Sequence, residues 1–333
     1  MITSVGLNPC IDSVIRVKSI EPGHYDIKPK FFLGGSAINI VLVTGELRRT
    51  GIFDKETRAE YSGFIDKGKI YKLLLKKKVS TEYCIFTKGE SRINYTIIPS
   101  RGNEMHLKSS GPNIRKEEYK EFENLFDKIT KDSNVIIISG KLPPNAERDY
   151  YNKFIKKANN ANLYTAIDTR GETLRRAIKS VPFFLKCNLM ELALLLNKER
   201  INSVGEIMSA ETIFGRAGVS IAVVSGGRNG IYVFYKGKFM AQYKLSEEII
   251  TKSTTGAGDI ILTYFTVLLD YVKRGIKRLS NENINEAAVF SVAYSSASTM
   301  TPYPSVFESK TAERFLKKVI IIRNSKKVSF IPE

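Results

Sequence analysis

A chain of 333 residues, 43% hydrophobic and 10% aromatic, holds enough apolar surface for a large core in one domain, with or without a small appendage. Its 52 Lys and Arg against 34 Asp and Glu leave +18, a surplus suited to nucleic acid, anionic lipid or a phosphorylated small substrate. The basic runs at 76–78, 156–157 and 326–327 are scattered and carry no interleaved aromatic pattern, so they read as solvated faces and not as a nucleic-acid surface.

Cys10, Cys84 and Cys187 lie far apart without a CxxC pair, which supports neither a disulfide framework nor a zinc cluster. Residues 2–7 form an apolar strand that ends at Asn8-Pro9, too short and too poor in preceding basic residues for a leader. No apolar run reaches the roughly 18 residues of a membrane span. A cytoplasmic protein with no membrane or nucleic-acid partner is expected.

Further along, residues 13–18 followed by 25–33, and 83–87 followed by 92–99, read as hairpins because no helical pattern separates their strands. Together they predict a small separate sheet, a lid over about 12–33 and 83–99 that carries Asp12 and Arg92. From there on, strands at 135–139, 163–168, 183–187 and 221–225 alternate with helices at 116–131, 146–159 and 203–217. That alternation predicts βαβ units around a mostly parallel sheet, in one domain spanning 1–333.

The sharpest local signal is Thr254-Thr255-Gly256-Ala257-Gly258-Asp259 ahead of an apolar run to Leu269. Glycines leading into a helix leave N–H groups open where the helix end is partly positive, a place for a phosphate. A carboxylate in that first turn stands where it takes the proton of an attacking hydroxyl; the plainer reading is an Asp favoured by the helix dipole. Gly34-Gly35 ahead of Ser36-Ala37-Ile38-Asn39 lets backbone approach a ligand, with Asn39 offering a donor and an acceptor to sugar hydroxyls, or else makes a tight turn. Asp12 is a similar hydroxyl acceptor or a turn residue.

Asn188 and Glu191 stand three apart on one helical face, suited to Mg²⁺ held through water, or to a capping box. Ser225-Gly226-Gly227-Arg228-Asn229-Gly230 is a turn for nucleotide phosphates or a plain hairpin. His24 and His106 lack metal-ligand spacing and read as surface or structural residues.

LNPCID at 7–12, GGSAIN at 34–39, GESRINYTI at 89–97, SGKLPP at 139–144, DTRGETL at 168–174, KCNLMEL at 186–192 and TTGAGD at 254–259, in this order, resemble the ribokinase-like sugar kinases. Within these the chain is similar to the phosphofructokinase B (PfkB) group, which includes 1-phosphofructokinase and tagatose-6-phosphate kinase. The resemblance implies a three-layer α/β/α fold with a mostly parallel central sheet and a small β-sheet lid, often a homodimer through the lids, using ATP and Mg²⁺. It implies Asp259 as catalytic base, with Gly256, Ala257 and Gly258 as the anion hole. Asp12, Gly34, Gly35 and Asn39 would hold the sugar, and Arg92 its phosphate, with Ser139 and Lys141 beside them. Lys186, Asn188, Ser225, Gly227, Gly230 and Thr254 would serve the nucleotide, and Glu191 the metal through water.

Several residues depart from that pattern. The usual GGKG is GGSA, so Ser36 stands in place of a lysine; the usual SGSLP is SGKLP and supplies Lys141, which is expected to replace part of that charge. KPN is KCN, the residue after Asp259 is the large Ile260, and 63–68 lacks a glycine pair. The expected reaction is transfer of the ATP γ-phosphoryl group to a ketohexose monophosphate. The rivals are a ribokinase-like kinase of an unphosphorylated sugar or nucleoside, and a catalytically silent sugar-phosphate binder.

Overall fold

The computed structural model describes residues 1–101, 105–323 and, as backbone, 326–329. The expectation of one domain over 1–333 also takes in 102–104, 324–325 and 330–333, which lie outside the described residues. In chain order the elements are β1 (Ile2–Val5), β2 (Cys10–Val17), β3 (Lys30–Gly34), α1 (Ser36–Arg49), β4 (Ala59–Asp66), α2 (Lys69–Lys76), β5 (Cys84–Thr87), β6 (Arg92–Pro99), β7 (Met105–Lys108) and α3 (Lys116–Asp132). There follow β8 (Val135–Ser139), α4 (Tyr150–Asn160), β9 (Tyr164–Asp168), α5 (Gly171–Ala177), β10 (Phe184–Asn188), α6 (Leu189–Leu195), α7 (Val204–Met208), α8 (Ala210–Arg216), β11 (Ile221–Ser225) and β12 (Ile231–Tyr235). The chain ends with β13 (Lys238–Leu245), α9 (Ala257–Lys273), α10 (Asn281–Thr299), α11 (Ser309–Leu316), β14 (Val319–Arg323) and β15 (Lys326–Ser329).

Eleven strands form one sheet in the order β15-β14-β13-β12-β11-β10-β9-β8-β1-β4-β5. From β11 to β5 neighbours run parallel, and β12 to β15 extend the sheet antiparallel. The sequence of β8, all apolar before Ser139, follows from burial on both faces. Val135 and Ile137 join the core under α1, α9, α10 and α11, while Ile136 and Ile138 join the core under α3, α4, α6 and α8. Helices therefore cover both faces, as the three-layer expectation requires. Among the described residues no helix is long and apolar enough to cross a membrane.

A second sheet, in the order β3-β2-β6-β7, stands apart from the first. β2 and β3 pair antiparallel as expected for the first hairpin, although the returning strand is only Lys30–Gly34. The second predicted hairpin, 83–87 with 92–99, is incorrect. Cys84–Thr87 pairs in parallel with Gly63–Asp66 of the large sheet, because the helix Lys69–Lys76 supplies the crossover that a parallel pair demands. β6 enters the small sheet parallel to β2, and β7 closes its edge antiparallel to β6. Every residue of β6 is half-buried, in contrast to β8, where all five are buried. The helix expected over 146–159 begins at Tyr150, and the one expected over 203–217 is divided at Ser209.

Candidate active site

A cleft of about 500 Å³ opens where the parallel strands β8, β9 and β10 end and the small sheet begins. Ligands of open α/β sheets bind at this carboxyl edge, because the loops there are free to vary while the strands fix where they start. Ser139, Asp168 and Asn188, the last residues of their strands, all line it.

Asp259 enters the cleft from the first turn of α9. Every residue from Asp259 to Asp270 is buried, which fixes the position of the helix start. Gly256 caps that start in the left-handed region, with φ +85°, and a Cβ there would lie 2.4 Å from the Ser305 backbone nitrogen. Asn39, on α1, donates from Nδ2 to Asp259 Oδ2 at 2.7 Å. Burial pushes the Asp259 carboxyl up to about 6; Asn39, Lys186 and Ser36 favour its charge, and Asp168 opposes it.

Lys186 is buried, with Nζ 3.3 Å from Asp168 Oδ1. Burial works against its charge, but Asp168, Glu191 and Asp259 prevail and hold the ammonium above its ordinary value. A Cβ at position 258 would stand 2.6 Å from Lys186 Nζ, so the bare glycine lets this cation reach the start of α9. Gly256→Ala is expected to lower both stability and turnover, since it strains left-handed backbone against Ser305. Gly258→Ala should instead lower turnover with a smaller thermal shift, because the atom it meets is the end of a flexible side chain. Melting temperature and ADP release on the two variants check this.

The small sheet supplies the opposite wall. Its register pairs Cys10 with Arg92 and Asp12 with Asn94, so these side chains share one face. Asn94 donates to Asp12 Oδ1 at 2.9 Å, and Gly34 backs directly on Asp12, where a Cβ would lie 2.3 Å from Oδ2. Arg92 donates from Nε to Asn8 O at 3.1 Å and from Nη1 to Asn94 Oδ1 at 3.2 Å, leaving guanidinium donors to spare. Lys141, at the same end, is held below its ordinary pKa by burial and by the charges of Arg170, Arg92 and Lys108. The buried Ser139 hydroxyl has no hydrogen-bond partner among the described residues.

At the other end Asn188 caps α6 and accepts the Glu191 N–H at 2.9 Å, while the Glu191 carboxylate accepts the Asn188 N–H at 2.8 Å. The capping box is therefore present, and both side chains also line the cleft. Burial, then Asp168, raises the Glu191 pKa.

Of the residues expected from the sequence, Asp12, Gly35, Asn39, Arg92, Ser139, Lys141, Lys186, Asn188, Glu191, Thr254, Gly256, Gly258 and Asp259 line this one cleft. Gly34 and Ala257 do not; the Ala257 N–H turns back to Thr254 O, at 3.4 Å. Ser225, Gly227 and Gly230 lie in the hairpin between β11 and β12, outside the cleft lining. Ser225 nonetheless hydrogen-bonds Cys187 O, next to Asn188. Gly230 has a packing reason of its own, since a Cβ there would lie 1.9 Å from Tyr243 O.

Asp168, Asn94, Lys108 and Arg170 also line the cleft, at positions for which the sequence predicts no role. A carboxylate ending a buried parallel strand was the available signal for Asp168. His106, read as surface or structural, lines the cleft from β7.

A cleft at the strand ends with a raised carboxylate at a helix start and a cationic far wall marks an α/β kinase that phosphorylates a small hydroxyl-bearing molecule. The model for the pfkB family carbohydrate kinases matches residues 5–309, and the chain belongs to that family. It is 28% identical over 272 residues to the 1-phosphofructokinase of Borreliella burgdorferi, covering 81% of this chain and 85% of that protein. It is 27% identical over 270 residues to a tagatose-6-phosphate kinase of Staphylococcus epidermidis, covering 78% and 82%. Phosphofructokinase-2 from Escherichia coli shares the fold with TM-score 0.78 at 21% identity, over 95% of this chain and 97% of that one. The enzyme is an ATP-dependent sugar kinase.

Proposed function

We propose that the enzyme transfers the γ-phosphoryl group of ATP to a ketohexose monophosphate, such as fructose 1-phosphate or tagatose 6-phosphate, to give a 1,6-bisphosphate. The observation that carries this reading is the pairing, in one cleft, of the raised Asp259 carboxylate with a far wall of Arg92, Lys108, Lys141 and Arg170. A neutral sugar gives such a wall nothing to neutralise, whereas a phosphate dianion does.

The residues act as follows. Asp12 and Asn39 hold sugar hydroxyls, and Arg92 grips the existing phosphate with its planar fork. The free Ser139 hydroxyl adds one hydrogen bond to the bound sugar phosphate. Asp259 takes the proton of the hydroxyl as its oxygen bonds to the γ-phosphorus and the β–γ bridging oxygen departs with ADP. The N–H groups of Gly256 and Gly258, with the Lys186 ammonium, offset charge on the transferring oxygens. Thr254, Asn188 and the 225–230 hairpin serve the nucleotide.

Asp168 and the half-buried Glu191 are carboxylates facing the cleft, a donor set that fits Mg²⁺ held through water and shared with nucleotide phosphates. That ion would screen the phosphate charges. Met105 and Leu107 of the small sheet, with Ile20, Tyr25 and Ile27 of the connection between β2 and β3, are exposed, which supports pairing of this region with a second copy of the chain. Sedimentation should then give a dimer, and a monomer across the working concentration range would reject it.

The deciding experiment is ADP release over a panel of ketose phosphates and their unphosphorylated counterparts. Turnover on a phosphorylated ketohexose, at kcat/KM well above that on the free sugar, is expected; preference for the free sugar overturns the reading. The ionised carboxylate is the active form, so kcat/KM should rise with pH through about 6 and fall on the acid side.

A further inference from the structure

β8 and β9 run parallel with Ser139 opposite Asp168, so the loops that leave them start side by side. Two hydrogen bonds tie these loops together. Gly140 N–H donates to Asp168 O at 2.9 Å, and the Thr169 hydroxyl donates to Gly140 O at 2.9 Å. Lys141 and Arg170 each stand two residues beyond that register pair, and both line the cleft.

The carboxylates near them in sequence are engaged elsewhere. Asp168 holds Lys186 at 3.3 Å, and Glu172 pairs with Arg176 at 3.0 Å. After burial, repulsion from Arg170 is the largest influence lowering the Lys141 pKa, ahead of Arg92 and Lys108. Lone surface cations point into water and need no explanation. Two cations that the backbone fastens side by side on the wall of a cleft repel one another until an anion enters between them.

We propose that Lys141 and Arg170 form a two-cation clamp on the phosphate that the acceptor already carries, and that this clamp sets the preference for a phosphorylated over a neutral sugar. The inference rests on the sugar-phosphate reading above. The acceptor is favoured over the nucleotide because the other charges acting on Lys141 are Arg92 and Lys108 of the small sheet. Arg170 also acts on Glu191 toward the nucleotide end, so the ATP KM is the readout that separates the two placements. The two cations differ in use: Arg170 offers a planar fork for two oxygens, and Lys141 a compact point charge.

The test takes Lys141→Ala, Arg170→Ala and the double variant through steady-state kinetics with the best ketose phosphate, and through thermal melting with and without inorganic phosphate. Each single change should raise the acceptor KM at least ~10-fold, about what one charge-assisted hydrogen bond supplies, with the ATP KM nearly unchanged. Arg170→Lys should recover part of the loss. Without ligand the double variant should melt at or above the wild-type temperature, since a repulsive pair has been removed; a merely structural pair would melt lower. Inorganic phosphate should stabilise the wild type more than the double variant.

Wild-type turnover of a ketose phosphate with an unchanged acceptor KM in the double variant overturns the clamp and leaves the functional reading standing. A rise confined to the ATP KM overturns it in favour of a nucleotide contact. If the wild type turns over no sugar phosphate, the functional reading fails, and equal stabilisation of both proteins by inorganic phosphate then overturns the clamp as well.

Discussion

Asp259→Asn is expected to reduce turnover at least ~100-fold, the usual range for loss of a general base, while making the protein harder to melt at neutral pH. The two effects have one origin. Burial raises the carboxyl from the ordinary aspartate range to about 6, so ionisation at pH 7 to 8 opposes folding by about 3 kcal/mol. The sign follows from linkage. A carboxyl whose folded pKa is raised stabilises the fold while protonated, below about pH 4, and that contribution is lost as pH rises through about 6.

Asparagine keeps the shape and an oxygen to accept from Asn39 Nδ2, but carries no charge. Its melting temperature should therefore exceed the wild-type value at pH 8, with the difference shrinking toward pH 4. Calorimetry at the two pH values, paired with ADP release, checks both halves. Near-normal turnover would remove Asp259 from the mechanism. Equal melting curves at pH 8 would remove the buried-charge argument.

The second large effect is expected at Arg92. Its guanidinium is already positioned by Asn8 O and Asn94 Oδ1, so the remaining donors are preorganised and little ordering is lost when a phosphate binds. Two charge-assisted hydrogen bonds at roughly 1.5 kcal/mol or more each imply a KM for the sugar phosphate at least ~100-fold higher in Arg92→Ala. The ATP KM should hold, and residual activity on the unphosphorylated sugar should not change. Arg92→Lys should behave nearly like the alanine variant, because an ammonium cannot hold Asn8, Asn94 and the phosphate at once. Equal losses on the phosphorylated and free sugar would show that Arg92 supports the wall and does not read the phosphate.

Much of this was legible in the sequence, for physical reasons that differ by region. The strand β8 declared itself because burial on both faces leaves an unbroken apolar run. Asp259 did so only together with the other matching segments, since the glycines and the carboxylate alone also fit a helix start favoured by the dipole. Cys84–Thr87 was misassigned because a crossover helix of eight residues, Lys69–Lys76, is too short to stand out by periodicity, so a parallel strand passed for half of a hairpin. Lys108 and Arg170 are ordinary exposed cations in the sequence. Only the antiparallel register of β7 on β6 and the tie between the β8 and β9 loops bring them to the cleft. Asn94 was hidden in the same way, its contact with Asp12 spanning 82 positions.

The two walls of the cleft are built to different standards. The helix that carries Asp259 is sunk in core from Asp259 to Asp270, whereas β6, which carries Arg92, is half-buried from end to end. Gentle heating or dilute urea should therefore blur recognition of the acceptor while the chemical step is still intact, and that step should fail only as the whole molecule melts.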